Sequence, residues 1–140
     1  MSKREEIEAR RAKRREELEA KRSEQRDADA ETIDQLEVEL GVELRVLVPK
    51  QYHDGLPACV AYRPAEPAVY KRLTQQLRRA KDNFEQRGAA TDLLADSCWI
   101  YPQDKETRKA MLDVYPGILH SIAVEVVKLA DLEEQEEGKG

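Results

Sequence analysis

The chain has 140 residues, of which 38% are charged and only 5% aromatic, with a net charge of −5. That length suits one compact domain with an appendage, and the mixture is too polar for every residue to pack around one core. No run of eighteen apolar residues spans a membrane, and MSKREEIEARRAKRR holds no apolar stretch to act as a signal peptide.

The charge is unevenly spread. Residues 1–26 carry 10 Lys/Arg against 7 Asp/Glu, and the remaining 114 carry 14 against 22. A mildly basic arm on an acidic body argues against a nucleic-acid-binding domain, whose body would carry the basic patch.

Residues 3–30 contain good helix formers and no Gly or Pro, with Glu interleaved among Arg and Lys. Glu6 with Arg10 and Glu17 with Lys21 are attractive i,i+4 pairs, whereas Arg22 with Arg26 is repulsive. Ile7, Leu18 and scattered Ala do not form a heptad seam, so no stable coiled coil is expected. The segment 1–35 reads as a solvated helix, frayed at its start.

From residue 36 the pattern changes. Leu36, Val38, Leu40, Val42, Leu44, Val46 and Val48 alternate with mostly polar residues, a period of two that predicts one long strand or two bent at Gly41. Pro49 ends it, Asp54-Gly55 is a turn dipeptide, and Ala58–Tyr62 is the expected return strand. The segment 36–64 is thus a β-hairpin or small meander, and it must pack on something to persist.

The rest, 65–131, reads as four helices. Pro67 suits a first helical turn, and Tyr70, Leu73, Leu77, Ala80 and Phe84 follow at helical spacing until Gly88. Thr91 can cap a short helix bearing Leu93, Leu94, Cys98 and Trp99, stopped before Pro102. Asp104 opens a third, with Ala110, Met111 and Val114. Pro116 starts a fourth, with Ile118, Leu119, Ile122, Val126 and Leu129 along one stripe. Residues 132–140 form an acidic, flexible tail. The expected fold class is α+β and mostly helical: a charged N-terminal helix, a small β-hairpin or meander, then a compact four-helix domain.

Few residues invite chemistry. Cys59 and Cys98 lie in apolar surroundings, at no spacing that suggests a disulfide framework or a zinc site. His53 and His120 are isolated, so no metal cluster is expected. Cys59 with His53, or Cys98 with His120, is the only nucleophilic pairing to weigh, and neither has an activating context. No phosphate-binding glycine loop and no nucleophile elbow occur. No catalytic residue, cofactor or metal is therefore assigned. Lys71, Arg72, Arg78, Arg79 and Lys81 read as a solvated face beside Asp82 and Glu85. Trp99, Tyr101 and Tyr115 either fill the junction between short helices or anchor a partner. The expectation is a non-catalytic protein that works by binding other proteins.

From Tyr62 to Ala130 the order of features is AYRPAEPAVYKRL, a polar helix, LLADSCWIYP, and a short helix ending DVYPGILHSIAVEVVKLA. This resembles the tail assembly chaperones of long-tailed double-stranded DNA phages. Their pattern is a Tyr-Arg-Pro-like lead-in to a helix with a Tyr-Lys/Arg pair, then Cys-x-x-Tyr-Pro, then Tyr/Arg-Pro-Gly before the last helix. Here those positions are Tyr62, Arg63, Pro64, Tyr70, Lys71, Cys98, Tyr101, Pro102, Tyr115, Pro116 and Gly117. The match spans about half the chain, and the charged helix at 1–30 departs from the simplest members.

The resemblance implies a chaperone that keeps the tape measure protein soluble and helps recruit tail tube subunits around it. It further implies action in the cytoplasm of the infected host and absence from the mature virion. Such proteins are often made in two lengths by a ribosomal frameshift, and Gly138-Lys139 is what a slippery heptamer would encode. The candidate contact residues are Leu44, Val46, Leu47, Val48, Trp99, Tyr101, Ile122 and Val126, with self-association through the N-terminal helix as a further expectation. The rivals are a virion or scaffold protein that oligomerises through that helix, and a small cysteine-dependent enzyme.

Overall fold

The computed structural model describes residues 2–130. In chain order the elements are α1 (Lys3–Leu40), β1 (Arg45–Leu47), β2 (Val60–Tyr62), α2 (Pro67–Ala80), α3 (Phe84–Cys98), β3 (Trp99–Tyr101), α4 (Lys105–Val114) and α5 (Ile118–Ala130). The mostly helical α+β class holds, with four helices after the β segment. The acidic tail and the Gly138-Lys139 pair lie outside the described residues.

The sheet has the order β1-β2-β3, antiparallel throughout, so β2 is central. Its two faces explain the architecture. Val60 and Tyr62 point into a core built with α2–α5, among Leu94, Met111, Ile118 and Ile122. Cys59 and Ala61 point the other way, into a smaller core with Leu44 and with Ile33 and Leu36 of α1. Period-two alternation therefore sends successive residues of one strand to different layers. The molecule is three layers: α1, sheet, helical domain.

Several expectations are corrected. Residues 36–40 are helix, not strand: α1 runs through Leu40 and ends on Gly41, whose left-handed φ of 67° lets its N–H close on the Glu37 carbonyl at 2.8 Å. The alternation was ambiguous because Ile33, Leu36 and Leu40 also fall at helical spacing. Burial decides between the periods, since Leu36 is buried while Val38 is 79% exposed. The strand that remains is short. Nor is α1 solvated along its whole length, because Asp29, Ile33 and Leu36 are buried against the sheet.

The second correction lies at 81–83. Helix 67–88 is broken there, with Lys81 at φ 50° and Asn83 accepting from the Gln86 N–H at 3.0 Å to start α3. The Arg87 guanidinium donates to the Leu77 and Lys81 carbonyls across the break. Gly88 lies inside α3, and Phe84 is 88% exposed rather than on the core stripe. The third concerns Trp99, which leaves the helix to pair with Tyr62 in β3. Thr91 is not a cap either: it lies inside α3, where its hydroxyl donates to the Arg87 and Gly88 carbonyls, whereas Asp104 accepts from the Thr107 N–H at 3.0 Å and opens α4 as expected.

Candidate partner-binding surface

The helix α1 is held to the sheet by one buried carboxylate. Asp29 is fully buried, and its oxygens accept from the Gln25 side chain at 2.8 Å, the Ala58 N–H at 2.7 Å and the Tyr101 hydroxyl. The Cys59 thiol adds a weak contact at 3.7 Å. A charge in an apolar layer persists only when so many donors surround it. Beyond this hub the 48–59 loop is tied to α1 by Lys21–Asp54 at 3.0 Å and by Arg22 to the Pro49 carbonyl at 3.4 Å. The loop turns at Asp54-Gly55, with Gly55 at φ 90°.

A second clamp holds the other edge of the sheet. The Arg108 guanidinium donates to the carbonyls of Trp99, Ile100 and Pro102 and lies 5.1 Å from the centre of the Trp99 ring. Burial pulls its pKa down from the usual arginine value. The first two carbonyls belong to the edge strand β3 and the third follows it, so the arginine supplies donors that no further strand provides. On the opposite side the Tyr115 hydroxyl accepts from the His53 N–H at 2.8 Å, joining the loop to the α4–α5 corner.

These ties shape an apolar groove of about 330 Å³ between the sheet edge and the last helix. Its walls are Leu47, Val48, Pro49 and Lys50 on one side and Tyr115, Gly117, Ile118 and Ser121 on the other, with Val60 between them. The groove borders the end of the edge strand β1 at Leu47, and Val48, which lines it just past the strand, is 38% exposed. An apolar trough beside an open strand edge suits an extended or helical apolar segment of a partner.

The candidate contact residues divide accordingly. Leu47 and Val48 line this groove, whereas Val46, 43% exposed, is outside its lining and pairs with Ala61, which faces the α1 layer. Leu44, Trp99, Ile122 and Val126 are buried core residues and offer no surface in this conformation, a correction to their expected role. Tyr101 is half-buried and its hydroxyl is engaged by Asp29. Trp99 and Tyr115 thus serve the junction, with Tyr115 also lining the groove. Sequence reasoning missed Asp29, Tyr115 as a wall and Ile118 as its neighbour. An aspartate in the middle of a charged helical stretch gives no sign of burial. Ile118 was visible only as one member of a core stripe.

The cysteines are buried, whereas both histidines are exposed. Burial, with Asp29 second, pushes the Cys59 thiol up to about 12, and burial pushes Cys98 up to about 11. Both stay protonated at neutral pH, the opposite of an activated nucleophile. Among the described residues no group of three or more His, Cys, Asp and Glu is placed to hold a metal ion. No single helix among them is long and apolar enough to cross a membrane.

The residues that carry the phage-chaperone resemblance mostly build the junction. Tyr62 and Cys98 are in the main core, Arg63 pairs with Glu66 at 3.4 Å, and Tyr101, Pro102 and Tyr115 are tied by the bonds above. Pro116 and Gly117 form the turn before α5. Comparison with family models, curated proteins and solved structures returns no match for this chain.

Proposed function

We propose that the protein is a phage tail assembly chaperone that binds apolar segments of the tape measure protein in the β1–α5 groove and helps recruit tail tube subunits. The observation that carries this reading is the groove itself, an apolar trough of about 330 Å³ beside an unpaired strand edge. A chain of net charge −5 that covers an exposed apolar stripe in such a trough keeps the complex charged and soluble. The Tyr-Arg-Pro, Cys-x-x-Tyr-Pro and Tyr-Pro-Gly segments support the same family, because they set the corner on which the groove depends.

Co-expression with the tape measure protein tests it. That protein should become soluble and co-purify, and Val48→Asp with Ser121→Asp, both at exposed lining positions, should abolish the effect. A tape measure protein that stays insoluble beside the wild-type chain would remove the proposal.

One rival keeps a specific observation in its favour. Residues 3–20 of α1 are exposed along their whole length, with Ile7 and Leu18 nearly two-fifths exposed, which suits a scaffold or virion protein that assembles through its arm. Composition of purified particles separates the two, since a chaperone is missing from them. The enzyme reading is tested by replacing Cys59 and Cys98 with Ser and assaying function.

A further inference from the structure

The charge on α1 is segregated along its length. Arg10, Arg11, Lys13, Arg14 and Arg15 put five bases into six residues, whereas Asp27, Asp29, Glu31, Asp34, Glu37 and Glu39 follow without any base through residue 44. Apart from Asp29, this acidic half keeps its carboxylates at or near the surface while its other side is docked on the sheet.

The docking seam of α1 is Arg22, Gln25, Asp29, Ile33 and Leu36, at spacings of three and four. Extended towards the N-terminus at the same spacing, it continues through Leu18, Arg14, Arg11 and Ile7, where no sheet lies beneath it. A shallow groove lined by Glu8, Arg11, Arg14, Arg15 and Leu18 marks this stretch. On the opposite side of the docked half, Asp27, Glu31, Asp34 and Val38 make an exposed stripe with the same four-three-four spacing. Among the described residues, neither Arg11 and Arg14 nor Glu31 and Asp34 have an ion-pair partner.

We infer that the arm of one copy docks on the exposed acidic stripe of α1 in a second copy. A parallel stagger of about 20 residues sets Arg11 against Glu31, Arg14 against Asp34 and Leu18 against Val38, a shift of about 30 Å along the helix. The two stripes lie about 200° apart around one helix, at 100° per residue. A closed two-fold pair would need its partner on both sides of α1 at once, so the association is head-to-tail and open-ended. It is also separate from the groove, and leaves that surface free.

Exposed ion pairs are weak and screened, so the association is weak and salt-sensitive. Sedimentation velocity of the full chain tests it. At about 0.05 M salt the weight-average mass should rise past dimer with concentration, and at about 0.5 M it should return to monomer. Arg11→Glu with Arg14→Glu, or Glu31→Lys with Asp34→Lys, should each weaken association about tenfold or more. Mixing the two double variants should restore it, because each supplies the charge that the other lacks. All substituted side chains are exposed, and far-UV circular dichroism checks that the fold is kept. A concentration-independent monomer, a mass that saturates at dimer, variants that associate unchanged, or a mixture that stays monomeric would each overturn the inference.

Discussion

The two halves of α1 share one backbone and differ in what they rest on. Residues 21–40 lie on the sheet through a buried aspartate, two buried aliphatics and a glycine cap, while residues 3–20 touch nothing else in the molecule that buries them. A helix of 38 residues is about 57 Å long, so roughly half of it stands clear of the body. The lesson is that docking needs few residues when they are placed on one seam. Ile33 and Leu36 each contribute about 2 kcal/mol by leaving water, and Asp29 fixes the register by taking donors from two other segments, at Ala58 and Tyr101. The arm has the same helix-forming residues but only two aliphatics, and its stability rests on local pairs such as Arg4–Glu8 at 3.5 Å.

Substitutions along α1 should reproduce that contrast. Asp29→Ala should have the largest effect, about 3–4 kcal/mol in urea unfolding, because it strands the Ala58 N–H and the Tyr101 hydroxyl in a dry layer. Limited proteolysis should then cut between residues 21 and 44, where the wild type resists. Ile33→Ala should cost about 2–3 kcal/mol by opening a cavity in the smaller core. Gly41→Ala should cost about 1 kcal/mol, since φ there is 67°. Leu18→Ala should change stability by less than about 0.5 kcal/mol. An arm substitution that destabilised as strongly as Ile33→Ala would show that the two halves do not differ in the way described.

Alkaline pH probes the same layer. The folded Cys59 thiol is held at about 12, above the usual 9, so the unfolded chain releases that proton first. The associated stability is fully present below about pH 9 and is lost as pH rises towards 12. The urea midpoint should therefore fall across that window, and Cys59→Ala should flatten part of the fall. A fall equally steep in Cys59→Ala would show that the buried thiol contributes nothing to it.

Much of this was legible in the residues. The capping aspartate at 104, the Asp54-Gly55 turn and the stripe of α5 all announce themselves through short-range chemistry. Where the outcome depended on tertiary contacts, local pattern was not enough. The run from Leu36 to Leu40 satisfies both periods, and only the body beneath Ile33 and Leu36 selects the helix. Trp99–Tyr101 is too short to declare itself a strand before Tyr62 is there to pair with it. For the candidate surface, the sequence pointed to the β segment and the last helix. It could not show that Ile122 and Val126 face inward while Tyr115 and Ile118 meet Val48 across a groove.

Hydrogen exchange on the complex with the tape measure protein addresses the binding surface most directly. Protection should appear at residues 46–50 and 115–121, the two walls of the groove, with residues 3–20 unchanged by that partner. Protection confined to the arm, with both walls exchanging as in the free protein, would contradict the account.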